Sequence, residues 1–505
     1  MSARDRFGTC LTCVALATLT GLVGCDLAPA YRPPHYVLPD TFQGDGPFAV
    51  AQPSDLEPRG DWWAPFDDAF LDQFEKQLTA ENPDLAAMTE AYTQARDLAA
   101  EARAALFPQI TVGALLSRER ESRNKPFRDV SSTAPVVDPD NQVGFTAAWE
   151  PDIWSEVRNR VRNQSRLAQA SAATLAGLRL SLQAELASDY LALRGADLEV
   201  SIYRSAIESY RKAVDITTLR FKGKIASGID VQRARSQLAA TEALLEGTLS
   251  GRALLQHAIE TLAGNNPSSF SIAPQDPVRI TLREIPAVMP SALLERRPDI
   301  AAAERTMAAA NASIGVARAA FYPNISISGT AGFEDTGFNL ASLPNSFWSI
   351  GAGAVEPLFE GGLRRAELQR SWAMYAQTRD EYRSTVLSAF KEVEDALAQT
   401  THLRSQVLAQ DEATTAADKA QSLAMQLYVG GLTNYLDVVV AQETALSAHI
   451  VAAQLWVQQF QAEIGLIRAL GGGWSRGELP TEKDVVPFGP LDYQLERPPT
   501  SAKAP

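Results

Sequence analysis

Two kinds of hydrophobic spacing alternate along the chain. In four short segments apolar and polar residues take turns. Ile110, Val112, Ala114 and Leu116 fall on one side of 109–117, with Gln109, Thr111 and Ser117 on the other. Segment 324–332 sets Ile325 and Ile327 against Ser326, Ser328 and Thr330. Val143, Phe145, Ala147 and Trp149 share one side of 142–150, and Trp348, Ile350, Ala352 and Ala354 one side of 348–356. A period of two with a wet second face predicts β-strands, and about nine residues is the length of a tilted membrane-spanning strand. A soluble sheet packed on helices has the same periodicity, so spacing alone leaves both readings open.

The other spacing is helical. From Glu156 to Phe221, and again from Leu363 to Tyr428, there is no proline and little glycine. Each stretch predicts a helix on the order of 100 Å long. In the second, Tyr382, Val386, Phe390, Val393, Leu397, Leu403 and Val407, with Thr400 as the polar exception, step at nearly the coiled-coil period. Helices of this length cannot bury a face inside a compact domain and must pack along one another. Shorter helices are expected at 80–107, 230–263, 296–321 and 437–470. Stacked end to end, each pair nearly matches one long helix, which predicts a palisade of uniform height.

The pattern occurs twice. "AALFPQI" (104–110) is answered by "AAFYPNI" (319–325), and "NPDLAAM" (82–88) by "RPDIAAA" (297–303). "WEPDIWSEVRNR" (149–160) pairs with "VEPLFEGGLRRA" (355–366), and "RFKGKIASGIDV" (220–231) with "LYVGGLTNYLDV" (427–438). The order is the same in both halves, so this is a direct duplication. Pro108, Pro151, Pro323 and Pro357 mark the changes between helix and strand, where a proline is tolerated.

The first 24 residues differ. Arg4 and Arg6 precede Leu11–Val23, a mostly apolar run that reads as the core of an export signal; a spanning helix needs about 20 such residues. No later segment is read as apolar enough for a spanning helix, so a membrane would be crossed by strands. Four strands leave open edges that lipid cannot satisfy. Three copies would close twelve strands, an even number within the bacterial range. The signal ends in "LVGC" (22–25), which resembles a bacterial lipobox and implies cleavage before Cys25 and lipid on that residue. Cys10 and Cys13 lie inside the signal, so their C-x-x-C spacing is not read as a redox pair. Asp26 follows the lipobox cysteine, and in enteric-type sorting an aspartate there tends to hold lipoproteins at the inner membrane. A barrel in the outer membrane is incompatible with that residence and decides the expectation.

Composition removes other classes. A net charge of −14 argues against nucleic acid. The four histidines (His35, His257, His402, His449) are far apart, and no metalloprotease, phosphate-loop or nucleophile-elbow motif is present. No enzyme, metal or cofactor is expected beyond the covalent lipid on Cys25.

The segments "CDLAPAYRPP" (25–34), "DWWAPFDDAFLDQFEKQLTAENPDL" (61–85), "MPSALLERRPDIAAAE" (289–304) and "ALGGGW" (469–474), with the two proline transitions, resemble outer-membrane efflux proteins of the TolC family, in its lipidated NodT/OprM-like branch. The run through "ERRPDI" is the most specific. The resemblance implies a mainly α protein with a membrane β-barrel: four strands and long coiled-coil helices per chain, trimerising into a 12-stranded β-barrel atop a 12-helix α-barrel. It also implies a periplasmic adaptor and an inner-membrane pump, commonly of the resistance-nodulation-division class. The expected division is signal 1–24, lipidated extension 25–79, first repeat 80–267, equatorial linker 268–295, second repeat 296–473 and irregular tail 474–505, with external loops at 118–141 and 333–347.

Two helix-to-helix turns, 221–230 and 428–437, carry the candidate site. Gly223, Gly430 and Gly431 would let a helix reverse, and Ser227, Asp230, Asn434 and Asp437 would cap the next one. By resemblance these turns, bounded by Phe221 and Tyr428, form the periplasmic tip that meets the adaptor. Asp437 matches an aspartate whose three copies ring the closed aperture, where carboxylates would favour cations. Val440 and Thr433 stand where some members carry a second aspartate and an arginine. The constriction is therefore expected to rely on packing, with Leu436 and Tyr435 as candidates. The expected function is an export duct for small toxic compounds. The rivals are a type I protein-secretion duct, which shares the architecture, and a periplasmic coiled-coil lipoprotein, which has no barrel. The lipobox and "ERRPDI" favour efflux.

Overall fold

The computed structural model describes residues 25–34, 61–120, 122, 137–268, 271–275, 280, 296–337, 339–340, 342–486, 489 and 491. The signal, most of the 268–295 linker, the 123–136 loop and the end of the tail lie outside the described residues.

Eight α-helices and four strands are described: α1 (Ala69–Glu81), α2 (Pro83–Ala104), β1 (Gln109–Arg120), β2 (Val137–Trp149), α3 (Glu156–Lys222), α4 (Gly228–Leu262), α5 (Pro298–Ala319), β3 (Asn324–Asp335), β4 (Ser346–Val355), α6 (Leu363–Val429), α7 (Tyr435–Ala469) and α8 (Glu482–Val485). Both long helices have 67 residues. At 1.5 Å per residue they measure about 100 Å. The expected 80–107 helix is broken, because Pro83 holds Asn82 in an extended conformation and lacks the N–H that would continue α1. Helix α1 therefore belongs to the segment read as N-terminal extension.

The helices form four columns. Both α2 and α4 lie along α3, α5 and α7 lie between α3 and α6, and α6 is the outer column. Stacking replaces continuity in two of them, at joints that repeat the duplication. Asn82 accepts from the Leu85 N–H at 2.9 Å, capping α2, while its Nδ2 donates 2.8 Å to the Leu262 carbonyl at the end of α4. Arg297, before α5, donates 2.8 Å to the Ala469 carbonyl at the end of α7. One side chain thus satisfies a backbone group that a helix end leaves free. Gly264 (φ +80°) and Gly471 (φ +90°) turn the chain out of each joint. A Cβ at Gly471 would lie 2.0 Å from the Arg296 carbonyl oxygen, so no other residue fits that approach.

Near mid-height, α3 carries charge in its interior. Arg194 is buried and binds Asp197 at 2.8 Å, the Tyr190 hydroxyl at 3.1 Å and the Ala273 carbonyl at 3.0 Å. Asp197 also accepts from Arg252 of α4 at 2.6 Å and from the Gln275 N–H at 3.1 Å. This network pins the described part of the linker to the first repeat. It escapes a sequence reading because Arg252, Ala273 and Gln275 lie tens of residues from the Tyr190, Arg194 and Asp197 cluster that they complete.

One expectation is overturned by composition. Helix α7 is long and apolar enough to cross a membrane. Its packing gives it another place: it follows α6 on one side and α3 on the other, as the counterpart of α4.

Candidate functional site: a two-faced wall and a paired tip

The strands form one antiparallel sheet in the order β1-β2-β3-β4. Each strand continues a helix (β1 after α2, β2 before α3, β3 after α5, β4 before α6), so strand order repeats column order. The strands run 10 to 13 residues, longer than the expected nine. Once a hairpin pairs, continuing the ladder satisfies successive backbone groups, here out to Arg120 opposite Val137. The hairpins therefore reach into the segments expected as external loops.

Register converts four separate patterns into one surface. Val112 faces Phe145, Phe145 faces Ala331 and Ala331 faces Trp348; Ala147 faces Gly329, which faces Ile350. Every apolar set read from the sequence therefore lies on one side of the sheet. The side chains on the two outer strands are bare in the protomer, with Ile350 75% and Val112 68% exposed, whereas Val143, Ile325 and Ile327 on the inner strands are half-buried. The opposite side carries Thr111, Thr146, Thr330 and Ser349, the last two joined at 2.8 Å. A sheet with one apolar and one hydroxyl-rich face, neither covered by helices, matches a wall between lipid and water. Strands β1 and β4 are its unpaired edges.

Aromatic residues collect where sheet meets helices. Trp149 donates 3.1 Å to the Leu106 carbonyl and Trp154 donates 2.9 Å to the Pro323 carbonyl, the second tying one repeat to the other. Trp154 also stacks on Tyr322 with centroids 4.7 Å apart. Arg158 and Arg364, equivalent in the duplication, each clamp the turn before their helix, through Asp152 and through Glu356 and Glu360. Amphipathic rings at such a boundary suit a membrane interface.

At the far end two helical hairpins meet. Their residues divide differently from the sequence reading. Gly223 (φ −73°) and Gly430 (φ −69°) occupy conformations open to any residue. The left-handed positions are Lys224 (φ 59°) and Gly431 (φ 77°). The caps are Ser227, which accepts from the Ile229 N–H at 3.3 Å, and Asn434, which accepts from the Asp437 N–H at 3.2 Å. Asp230 and Asp437 stand inside the first turns, where a carboxylate complements the helix dipole. Phe221 lies over Gly228. Asp437 is exposed beside Leu436 and Val440 and is bonded to the Thr433 hydroxyl.

Tyr435 corrects the expectation for the aperture. It is 1% exposed and packs edge-on against Tyr428, with Ala213, Ala234 and Val438 around the pair. It fixes the inside of the tip and does not face a channel. Sequence reasoning missed Arg220. This side chain of the first hairpin lies over the Tyr428 ring at 4.7 Å and donates to the carbonyls of Tyr428 and Val429 at 2.8 and 3.1 Å. It thereby caps the C-terminus of α6 and joins the hairpins. A cation in the last turn of α3 was the available signal.

Comparison with known proteins agrees with this geometry. The family model for outer membrane efflux proteins matches residues 76–265 and 289–472, one block per repeat. Outer membrane protein OprJ of Pseudomonas aeruginosa is 29% identical over 478 residues, covering 94% of this chain and 97% of its own. The toluene efflux pump outer membrane protein TtgF of Pseudomonas putida is 30% identical over 479 residues, covering 91% and 96%. The solved outer-membrane channel OprN superposes with a TM-score of 0.80 at 29% identity, covering 89% of this chain and 100% of that one. The CmeC channel of Campylobacter jejuni has the same fold, with a TM-score of 0.84 at 22% identity. Taken with the two-faced sheet and the duplicated columns, these matches show that the chain belongs to the family of outer membrane efflux proteins and is an outer-membrane channel of the kind used in tripartite efflux.

Proposed function

We propose that three copies close into a passive duct that carries small toxic compounds from an inner-membrane pump and a periplasmic adaptor to the cell exterior. The observation that carries this reading is the sheet: apolar on one face, polar on the other, and open at β1 and β4. Open edges in lipid cost several kcal/mol per unmatched group. Pairing β4 of one copy with β1 of the next removes both edges and, because column order follows strand order, also brings α6 against α2 and α4. Twelve strands and twelve columns result. The apolar side chains exposed on α6 and α4, such as Leu408 and Leu254, support the same contact.

In this assembly Asp437 and Leu436 stand at the aperture, where three carboxylates favour cations over anions. Phe221, Gly223, Ser227, Asp230, Tyr428, Gly430, Gly431 and Asn434 form the tip offered to the adaptor. Cys25 carries the lipid anchor. The pump is expected to be of the resistance-nodulation-division class, in keeping with the efflux names of relatives such as TtgF. The duct performs no chemistry of its own.

The test is a deletion strain challenged with antibiotics, dyes, detergents, solvents and metal ions. Hypersensitivity reversed by the wild-type gene is the expected result. Unchanged susceptibility together with proteins missing from the culture medium would replace efflux by protein secretion.

A further inference from the structure

Residues 26–29 lie in a groove between α3 and α5, and Tyr31 packs beyond it against Ile300 and Met307 of α5 and Tyr382 and Val386 of α6. The Asp26 carboxylate pairs with Arg162 and accepts from Asn159 Nδ2 and from the Ala28 N–H, each at 3.1 Å. The Leu27 carbonyl accepts from Arg318 at 3.0 Å and the Pro29 carbonyl from Asn311 at 2.8 Å. The Tyr31 hydroxyl donates to Glu304 at 2.5 Å. Asn159, Asn311 and Glu304 are buried, so the groove is a built seat. Its floor is Gly315, where a Cβ would stand 2.8 Å from that of Ala28 and 2.5 Å from Asn159 Nδ2.

The contacts fix a direction. Arg318 is at the sheet end of α5, and Glu304 is about four turns, roughly 20 Å, further away. The segment thus runs away from the sheet, and the exposed Cys25 lies at its sheet-facing end. Desolvation pushes the Asp26 carboxyl up, but the bonds from Arg162, Asn159 and the Ala28 N–H outweigh it and hold it below the usual range.

We propose that Asp26 is a positioning residue that seats the lipid-bearing Cys25 against the membrane boundary through Arg162 and Asn159. The proposal rests on the lipidation of Cys25 argued above. It gives the aspartate after the cysteine a task other than retention at the inner membrane: the carboxylate is engaged by the protein's own helices.

The experiment uses the full-length membrane-inserted protein with a cysteine pair, Ala28→Cys and Gly315→Cys. A shift of about 1 Å brings these positions to ordinary disulfide separation. The rate of bond formation under mild oxidant is read by mass spectrometry of the linked peptides. Adding Asp26→Asn or Arg162→Ala is expected to slow cross-linking about tenfold. Equal rates in all three backgrounds overturn the proposal. If the pair prevents insertion, Ala28→Cys alone is labelled with a maleimide; labelling should be about tenfold faster in the Arg162→Ala background, and equal rates again overturn it. The mass of the N-terminal peptide is recorded in parallel. Normal cross-linking on an unacylated Cys25 overturns the anchor reading separately from the seat.

Discussion

Helices α3 and α6 have the same length and the same place in their repeats, yet they live in different surroundings. Helix α3 has columns on both sides and buries Tyr190, Leu191, Leu193, Arg194 and Asp197 near mid-height. Helix α6 has a column on one side only and leaves Leu387 and Leu408 59% and 73% exposed. Shift the Arg194–Asp197 pair by the repeat spacing and the positions are Thr401 and Arg404, so the carboxylate that centres the α3 network has no counterpart at either. Duplication supplied two equal rods, and position in the palisade then set their interiors. Column α3 solved its packing within the protomer, whereas α6 presents an apolar face that another copy can cover.

The largest effect is expected from charging the exposed face of α6. Leu387→Asp with Leu408→Asp should abolish the trimer in detergent while leaving helix content intact, read by native mass spectrometry and circular dichroism. A trimer of wild-type stability would remove α6 from the interface. Next in size, Arg194→Ala leaves Asp197 buried with a weakened partner set. It should cost about 3–5 kcal/mol in denaturant unfolding, while Thr401→Ala on α6 should stay within about 0.5 kcal/mol. Similar losses at both positions would mean that the two helices are not so different.

A smaller effect sharpens the contrast on the α3 side. The Glu75 carboxyl of α1 is buried with no hydrogen-bond partner among the described residues, and burial, with a contribution from Asp61, pushes it up to about 9. Between about pH 4.5 and 9 the unfolded chain releases this proton before the folded one does, so stability falls as pH rises. Glu75→Gln should flatten that slope and add about 2 kcal/mol at pH 8. An unchanged slope in pH-dependent unfolding would place the charge penalty elsewhere.

The strands and their apolar faces were legible because alternation depends on near neighbours. Their ends were not, since a ladder stops where pairing stops. The long helices were readable from uninterrupted helical spacing, whereas the break at Asn82 needed Pro83 to be weighed against that pattern. At the tip, glycine suggested three left-handed positions; only Gly431 takes one, and Lys224 takes the other against the usual preference of its residue type. Tyr435 and Leu436 are adjacent, and only packing separates the buried residue from the exposed one. Arg220 and Asp26 act on carbonyls and side chains far away in sequence, so their positions could be noticed but their partners come only from the fold.

The joints at Asn82 and Arg297 have an evolutionary consequence. The unbroken helices α3 and α6 serve as rulers, and any change in their span must be matched in two stacked columns at once. A lineage facing a wider periplasm would have to edit four segments together, by amounts that keep every face in phase. The joints have no such constraint, since chain added there leaves the columns' registers untouched. Tube height should therefore drift slowly among relatives, while the belt around the joints absorbs most of the insertions.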